Sequence, residues 1–170
     1  MLIYLDANVV QDCADEEPYV SGRSDTCKTS EPKLKTQLRG LRRLFELEQF
    51  GDWRIACCRH LLVELHRGKP TRDQLQTYGM LQEAWSDSVW ETDESPNEDT
   101  VRRTYHSLEG LNLKDKPDQR HLAEALALNA SWFITNDGDI IKKTNGVVGS
   151  MRVSRPSDCV QEIPVGLFLK

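Results

Sequence analysis

Short apolar runs recur along the chain, and polar or helix-like segments separate them. The first run, Met1 to Val10, is apolar except near Asp6 and predicts a buried strand. Further runs that predict strands are Trp53 to Cys58, Ser88 to Glu91, Trp132 to Thr135 and Val147 to Val153.

Several of the intervening segments carry apolar residues at helical spacing. From Lys33 to Phe50, for example, the leucines form one stripe with Phe45. The other predicted helices are Arg59 to Arg67, Thr71 to Trp85, one from Ser95-Pro96-Asn97 to about Leu108, Gln119 to Asn129 opened by Asp118, and a short one after Pro156. Alternating strands and helices predict an α/β fold, a three-layer α/β/α arrangement with a central parallel sheet.

The segment from Gln11 to Pro32 interrupts this alternation. It is polar and contains Gly22 and Pro18, which predicts a long loop that is mobile. Loops of this length are uncommon inside compact domains and tend to be functional or disordered.

Composition narrows the class of protein. With 170 residues and 38% hydrophobic residues, the chain suits one domain over residues 1–170, and it has no apolar run long enough to span a membrane. The N-terminus makes a poor signal peptide, and five cysteines without C-x-x-C spacing fit a reducing, cytoplasmic compartment. The net charge of −5 argues weakly against nucleic-acid binding, unless the acids are gathered around a metal.

Four acidic side chains are placed where they can meet at one edge of such a sheet. Asp6 follows the apolar part of the first strand, and Asp137 follows a later strand. Asp118 opens a helix, and Glu64 lies a few positions after another strand. Functional groups of open parallel sheets collect beyond the carboxyl ends of the strands. We therefore expect the four acids to converge there, with Asp139 as a possible fifth member.

Clustered carboxylates repel each other unless a cation lies between them. Oxygen ligands without cysteine favour a hard cation such as Mg²⁺ or Mn²⁺, which activates water and neutralises charge on a phosphate. Each acid also has an ordinary alternative role, because Asp118 suits a helix cap and Asp139 suits a turn. The residues alone leave both interpretations open.

Four stretches, taken in order, resemble the PIN-domain family of small metal-dependent ribonucleases, which includes the VapC-type toxins. A fifth stretch, VSRPSD, resembles the last strand and turn of that family. The four stretches are YLDANVV with Asp6 and Asn8, HLLVELHRG with Glu64, PDQRHLAEALALNA with Asp118, and FITNDGDI with Thr135, Asp137 and Asp139. One departure is the segment 11–32, which family members usually lack and which suggests a lid, a partner-binding element or a neutral insertion.

The resemblance implies hydrolysis of RNA phosphodiester bonds. One or two Mg²⁺ or Mn²⁺ ions would be held by Asp6, Glu64, Asp118 and Asp137, with Asp139 as an extra acid. Asn8 and Thr135 would orient these ligands. The residues expected to contact the RNA backbone are Arg67, Lys69, Lys116 and Arg120. Three histidines near the motifs receive packing or surface roles: His60, His66 and His121.

The family also implies partners. A toxin would bind an antitoxin protein that places an arginine among the carboxylates, and would form a homodimer. Two other classes compete with the nuclease. A haloacid-dehalogenase-like phosphatase needs a second Asp where this chain has Asn8. A PIN-fold binding or assembly module usually lacks one or more of the acids, whereas all four are present here.

Overall fold

The computed structural model describes residues 1–48, 54–56, 65–66, 68–79 and 97–163. Within them the chain is mixed α/β, built on a five-stranded, mostly parallel sheet. The strands are β1 (Leu2–Leu5), β2 (Arg54–Ala56), β3 (Trp132–Ile134), β4 (Val147–Val148) and β5 (Met151–Ser154).

The strand order is β2-β1-β3-β5-β4. The first four of these strands run parallel, with Ile3 paired to both Ile55 and Trp132, and with Phe133 paired to Val153. This confirms the predicted parallel sheet for four of the five described strands, since β4 is antiparallel to β5. β1, the first strand in sequence, therefore lies inside the sheet, where its side chains are buried on both faces.

The helices are α1 (Ala7–Asp15), α2 (Glu17–Val20), α3 (Pro32–Glu48), α4 (Glu98–Ser107), α5 (Lys116–Ala127), α6 (Gly138–Thr144) and α7 (Pro156–Glu162). Residues 65–66 and 72–79 are also helical, inside the two helices predicted around them. The predicted strand from Ser88 to Glu91 lies outside the described residues.

The first predicted strand is too long. Its apolar run divides at Asp6, since β1 ends at Leu5 and α1 begins at Ala7. Asp6 is extended, and its carboxylate accepts a hydrogen bond from the Ala7 amide at 2.8 Å, which starts the helix. Val9 is buried as part of a helical face rather than as part of a strand.

The prediction of one long loop from Gln11 to Pro32 is wrong. Its first part continues α1 and forms α2. The irregular part after Val20 is tied to the rest of the molecule by side chains. Glu16 accepts hydrogen bonds from the amides of Lys28 and Thr29, both at 2.7 Å, and Arg42 donates to the carbonyl of Ser24 at 3.1 Å.

The last predicted strand, Val147 to Val153, is instead a hairpin. β4 and β5 are antiparallel, with Val148 paired to Met151. The two residues between them form the turn, and Gly149 has a φ of +59°, which favours glycine.

α4 begins as predicted, because the Asn97 side chain accepts a hydrogen bond from the Asp99 amide at 2.9 Å. α5 begins two residues before Asp118, with Pro117 in its first turn.

Two groups of helices pack against the sheet. α1, α2, α3 and α7 contact one another, and α4 contacts α5. This grouping is compatible with a layer of helices on each face. The crossing of α3 and α7 is close, because a Cβ atom added at Gly40 would lie 2.6 Å from the Pro156 carbonyl carbon. Among the described helices, none has the length and apolar character needed to cross a bilayer.

Candidate metal centre at the carboxyl edge of the sheet

Asp6 lies at the centre of a buried polar cluster. It directly follows the innermost apolar residues of β1, and its exposed fraction is 1%. Its backbone amide donates to the carbonyl of Ile134 at 3.0 Å, which fixes it beside the end of β3. The sheet therefore places a carboxylate at the carboxyl edge of the neighbouring strands β1 and β3.

Four donors contact the Asp6 carboxylate. The Ala7 amide and His121 Nδ1 lie 2.8 and 3.2 Å from Oδ1. Asn8 Nδ2 and Thr135 Oγ1 lie 2.6 and 2.7 Å from Oδ2. These contacts hold the carboxylate in one orientation, and they supply the hydrogen bonds that a buried charged group needs.

Thr135 links Asp6 to the other acidic strand end. Its hydroxyl donates to Asp6 and accepts from the Asp137 amide at 3.0 Å and from Asn8 Nδ2 at 3.1 Å. The side-chain oxygen of Asn8 (Oδ1) accepts a hydrogen bond from the backbone N–H of Asn136 at 2.9 Å. Asn8 and Thr135 thus hold the turn after β3 against the start of α1.

Asp118 and His121 approach Asp6 from α5. One potential ligand atom from each of the three residues lies within 4.8 Å of the other two. His121 is 1% exposed, and Asp118 is partly exposed. Because Asp118 and His121 are three positions apart on a helix, they share a face that points to the end of β1. When Asp6 is ionised, His121 donates through Nδ1.

Neighbouring acids affect the pKa of Asp118. Burial, together with the negative charges of Asp6, Asp137 and Asp115, raises its pKa from 3.8 to about 6, whereas His121 opposes the shift. Burial is the largest cause of this shift, and the contributions of Asp6 and Asp137 show that both carboxylates lie near Asp118. Asp137 therefore belongs electrostatically to the same cluster as Asp6.

Asp137 and Asp139 have additional local roles. Asp137 caps α6, because its Oδ1 accepts from the amides of Asp139 at 2.6 Å and Ile140 at 3.4 Å. Asp139 is exposed, and its carboxylate lies 2.9 Å from Lys143 Nζ. Asp139 therefore lies in the first turn of α6 rather than in a separate turn, and Asp118 is not the cap of α5, since that position is Asp115.

The other residues predicted for the site are Glu64 and the four basic residues expected to contact RNA. Glu64 and Arg67 lie outside the described residues. Lys69 is exposed, with a φ of +55°, and Lys116 is exposed at the start of α5. Arg120 is bound to two carboxylates, those of Glu98 and Glu124.

Two members of this region were missed from the sequence. His121 was assigned to packing, although its spacing of three from Asp118 places both on one helical face. Asp12 is the second, since its carboxylate accepts from Asn136 Nδ2 at 2.7 Å, beside the turn after β3. Burial raises the pKa of Asp12 to about 6, against the opposing effect of Asn136. Its position four residues after Asn8 was the signal available in the sequence.

Comparisons of the chain with models of known protein families, with curated proteins and with solved structures gave no match. Function is therefore inferred from the geometry of this centre and from the four sequence motifs.

Proposed function

We propose that this protein is a PIN-like, Mg²⁺- or Mn²⁺-dependent endoribonuclease with a three-layer α/β/α fold in one domain. The observation that carries the proposal is the convergence of Asp6, Asp118 and His121 within 4.8 Å, with Asp137 close enough to raise the pKa of Asp118. Glu64 completes the proposed set of acids.

The donor set fits a divalent cation. Carboxylates that approach this closely are stabilised together by a positive charge, and carboxylate oxygens are the ligands that Mg²⁺ and Mn²⁺ prefer. Asp6, Asp118 and Asp137 would hold the ion, which when bound activates water and neutralises charge on a phosphate.

The protein's own residues orient this set. Thr135 and Asn8 fix the direction of the Asp6 carboxylate, and the Thr135 hydroxyl also holds the backbone of Asp137. His121 restricts Asp6 from the side of α5. Such contacts keep ligands in place before substrate arrives, which lowers the cost of assembling the reactive geometry.

A second candidate function is a PIN-fold binding or assembly module without hydrolysis. The observation that favours it is the complete set of four protein donors on Asp6, which satisfies this carboxylate without a cation. The cap formed by Asp137 points the same way, because it gives that acid a purely structural task.

Cleavage of an end-labelled RNA pool separates the two candidates. Purified protein is incubated with Mn²⁺, with Mg²⁺ or with EDTA, beside the Asp137→Asn variant. Asparagine is also a good helix cap, so this variant removes the charge and preserves the start of α6. Asp158→Asn is the matched control, because Asp158 is an exposed acid in the first turn of α7.

We expect cleavage that requires metal, is abolished in Asp137→Asn and is unchanged in Asp158→Asn. Metal-independent cleavage that both variants retain would indicate a contaminating nuclease. An inactive protein whose melting temperature ignores Mn²⁺ would instead support the binding module.

The biological setting we propose is the toxin of a toxin–antitoxin pair that forms a homodimer. An antitoxin would place an arginine among Asp6, Asp118 and Asp137, where it substitutes for the cation. Purification of the protein from its native host, followed by identification of any small protein that co-purifies with it, tests this idea. A monomer that is active and binds no such partner would contradict it.

A further inference from the structure

An open cleft lies between α4 and the first turn of α5. Its volume is about 420 Å³, which falls within the range of roughly 300–1,000 Å³ found for small-molecule sites. Glu98, Arg102 and Tyr105 line it from α4, and Lys116 and Arg120 line it from α5.

Helical spacing explains which side chains reach the cleft. Residues 98, 102 and 105 fall on one face of α4, and residues 116 and 120 fall on one face of α5. Arg103 is the immediate neighbour of Arg102, but it points elsewhere, donating to the Asp99 carbonyl and to Thr100 Oγ1.

Three cationic side chains, Arg102, Lys116 and Arg120, line the cleft beside the carboxylate of Glu98, although the whole chain carries a net charge of −5. Arg102 forms an exposed ion pair with Asp99 at 3.0 Å. Arg120 is held in place from behind, because its Nε donates to the buried Glu124 at 3.0 Å. Its Nη2 donates to both oxygens of Glu98 at 3.1 Å, and Glu98 is largely exposed. An exposed pair of this kind is weak and easily exchanged for another anion.

The cleft and the candidate metal centre both use residues from the first two turns of α5. Lys116 and Arg120 face the cleft, while Asp118 and His121 belong to the acidic centre. A helix with its side chains is about 10–12 Å across. A single extended strand is long enough to cross the start of α5 and reach both places.

We infer that this cleft binds one nucleotide of the RNA strand beside the phosphodiester that is cleaved. Arg102 and Lys116 contact phosphate oxygens, and the Tyr105 ring contacts the base. Glu98 occupies the position of a phosphate on Arg120 until RNA displaces it. The inference rests on the proposed function, because it assumes that the acidic centre acts on RNA.

Fluorescence anisotropy with a short, labelled single-stranded RNA tests the inference, in EDTA so that the probe stays intact. Arg102→Ala and Lys116→Ala are expected to weaken binding by roughly five- to ten-fold and to reduce the slope of log K against log salt by about 0.7 each. Arg103→Ala removes the same charge from the same helix outside the cleft, and it should remain within about two-fold of the wild type. Tyr105→Leu should weaken binding about five-fold with an unchanged salt slope.

A second pair of variants examines Glu98. Glu98→Gln frees Arg120 and should tighten RNA binding, whereas Glu109→Gln, a charge-matched change outside the cleft, should tighten it less. Equal effects of Glu98→Gln and Glu109→Gln, or of Arg102→Ala and Arg103→Ala, would overturn the inference, as would the absence of RNA binding by the wild type. Polyglutamate that binds as tightly as RNA, with the same dependence on these residues, would also overturn it in favour of an acidic protein partner.

Failure of the nucleotide cleft can be distinguished from failure of the proposed nuclease activity. Binding that depends on Arg102 but not Arg103, in a protein that cleaves no RNA with any divalent cation, supports the nucleotide cleft and contradicts the nuclease. Metal-dependent cleavage that Arg102→Ala and Arg103→Ala leave equally intact, with equal RNA affinity, supports the nuclease and contradicts the cleft.

Discussion

The two ends of α1 each carry a buried carboxylate, and the two are used differently. Asp6 at the start is 1% exposed, and Glu16 at the end is 5% exposed. Glu16 accepts from two backbone amides, those of Lys28 and Thr29. Asp6 accepts from one backbone amide and three side chains, and the charges near it include those of Asp118 and Asp137.

The comparison of Asp6 with Glu16 separates the features of a buried acid that indicate function from those that indicate only stability. Burial and full hydrogen bonding are common to both residues, so neither property distinguishes them. Glu16 fixes a local segment, because its partners lie 12 and 13 positions away in sequence. Asp6 joins elements that are more than a hundred residues apart and gathers other acids around itself. Repulsion among gathered acids is the feature that requires an explanation beyond stability.

The largest expected effect is on activity at the Asp6 end. Asp6→Asn should reduce metal-dependent RNA cleavage by at least about 100-fold, because a ligand matters more than the 10–100-fold typical of supporting residues. Glu16→Gln should leave cleavage per folded molecule unchanged. Initial rates at saturating Mn²⁺, normalised to the folded fraction, measure both. Similar losses in the two variants would erase the distinction between the two ends.

A smaller loss is expected when the link between Asp6 and Asp137 is removed. Thr135→Val keeps the side-chain shape but loses the hydroxyl, and it should lower metal affinity or activity by about 10–100-fold. Thr135→Ser retains the hydroxyl and should stay close to the wild type. A titration of cleavage rate against Mn²⁺ concentration gives the comparison, and equal metal dependence of Val and Ser variants would argue against an orienting role.

Stability should respond most clearly at the Glu16 end. Glu16→Gln leaves a buried amide donor poorly paired and should reduce the free energy of unfolding by about 1–3 kcal/mol. Glu17→Gln, next in sequence, loses an ion pair with the exposed Arg23 and should cost less than about 1 kcal/mol. Urea unfolding in EDTA measures both values. A destabilisation of Glu17→Gln equal to that of Glu16→Gln would show that the buried contacts are not special.

The smallest effect concerns pH and Asp118. Its pKa in the folded protein, about 6, lies above its ordinary value of 3.8. The folded state therefore binds the proton more tightly than the unfolded state, and stability from this group is present at low pH and is lost as pH rises from about 4 to about 6.

Asparagine has no ionisable carboxyl group, so position 118 stays neutral at every pH in the Asp118→Asn variant. Without metal, this variant should become more stable than the wild type above pH 6 by about 1 kcal/mol, after allowance for screening at a half-buried position. Unfolding curves across this pH range measure the difference. Mn²⁺ should reverse it by stabilising only the wild type, and a gap that narrows as pH rises would contradict the assigned pKa shift.

Strong local signals made much of this fold predictable. The apolar runs of β1 and β3 identify the inner strands, and Asn97 marks the start of α4. The start of α1 was missed because Val9 and Val10 suit a strand or a helix equally, and only Asp6 as a cap distinguishes the two.

The candidate site was predictable in composition but not in its hydrogen bonds. Asp6, Asp118 and Asp137 could be proposed because each follows or opens a regular element. The contact of His121 with Asp6 spans 115 positions, and that of Asn136 with Asp12 spans 124. Such contacts depend on how elements pack, which no local pattern encodes. Likewise, the polar segment 11–32 concealed α2, which has four residues and buries only Tyr19 and Val20.

The position of β1 inside the sheet has a consequence for the order of synthesis. β1 leaves the ribosome before the other described strands, yet its neighbour β3 begins only at Trp132. Asp6 consequently meets both His121 and Thr135 only after synthesis has passed Thr135. Until then the acidic centre does not exist on the nascent polypeptide. Any hydrolytic activity of this protein is thus withheld from the ribosome that makes it, and from fragments released before Thr135.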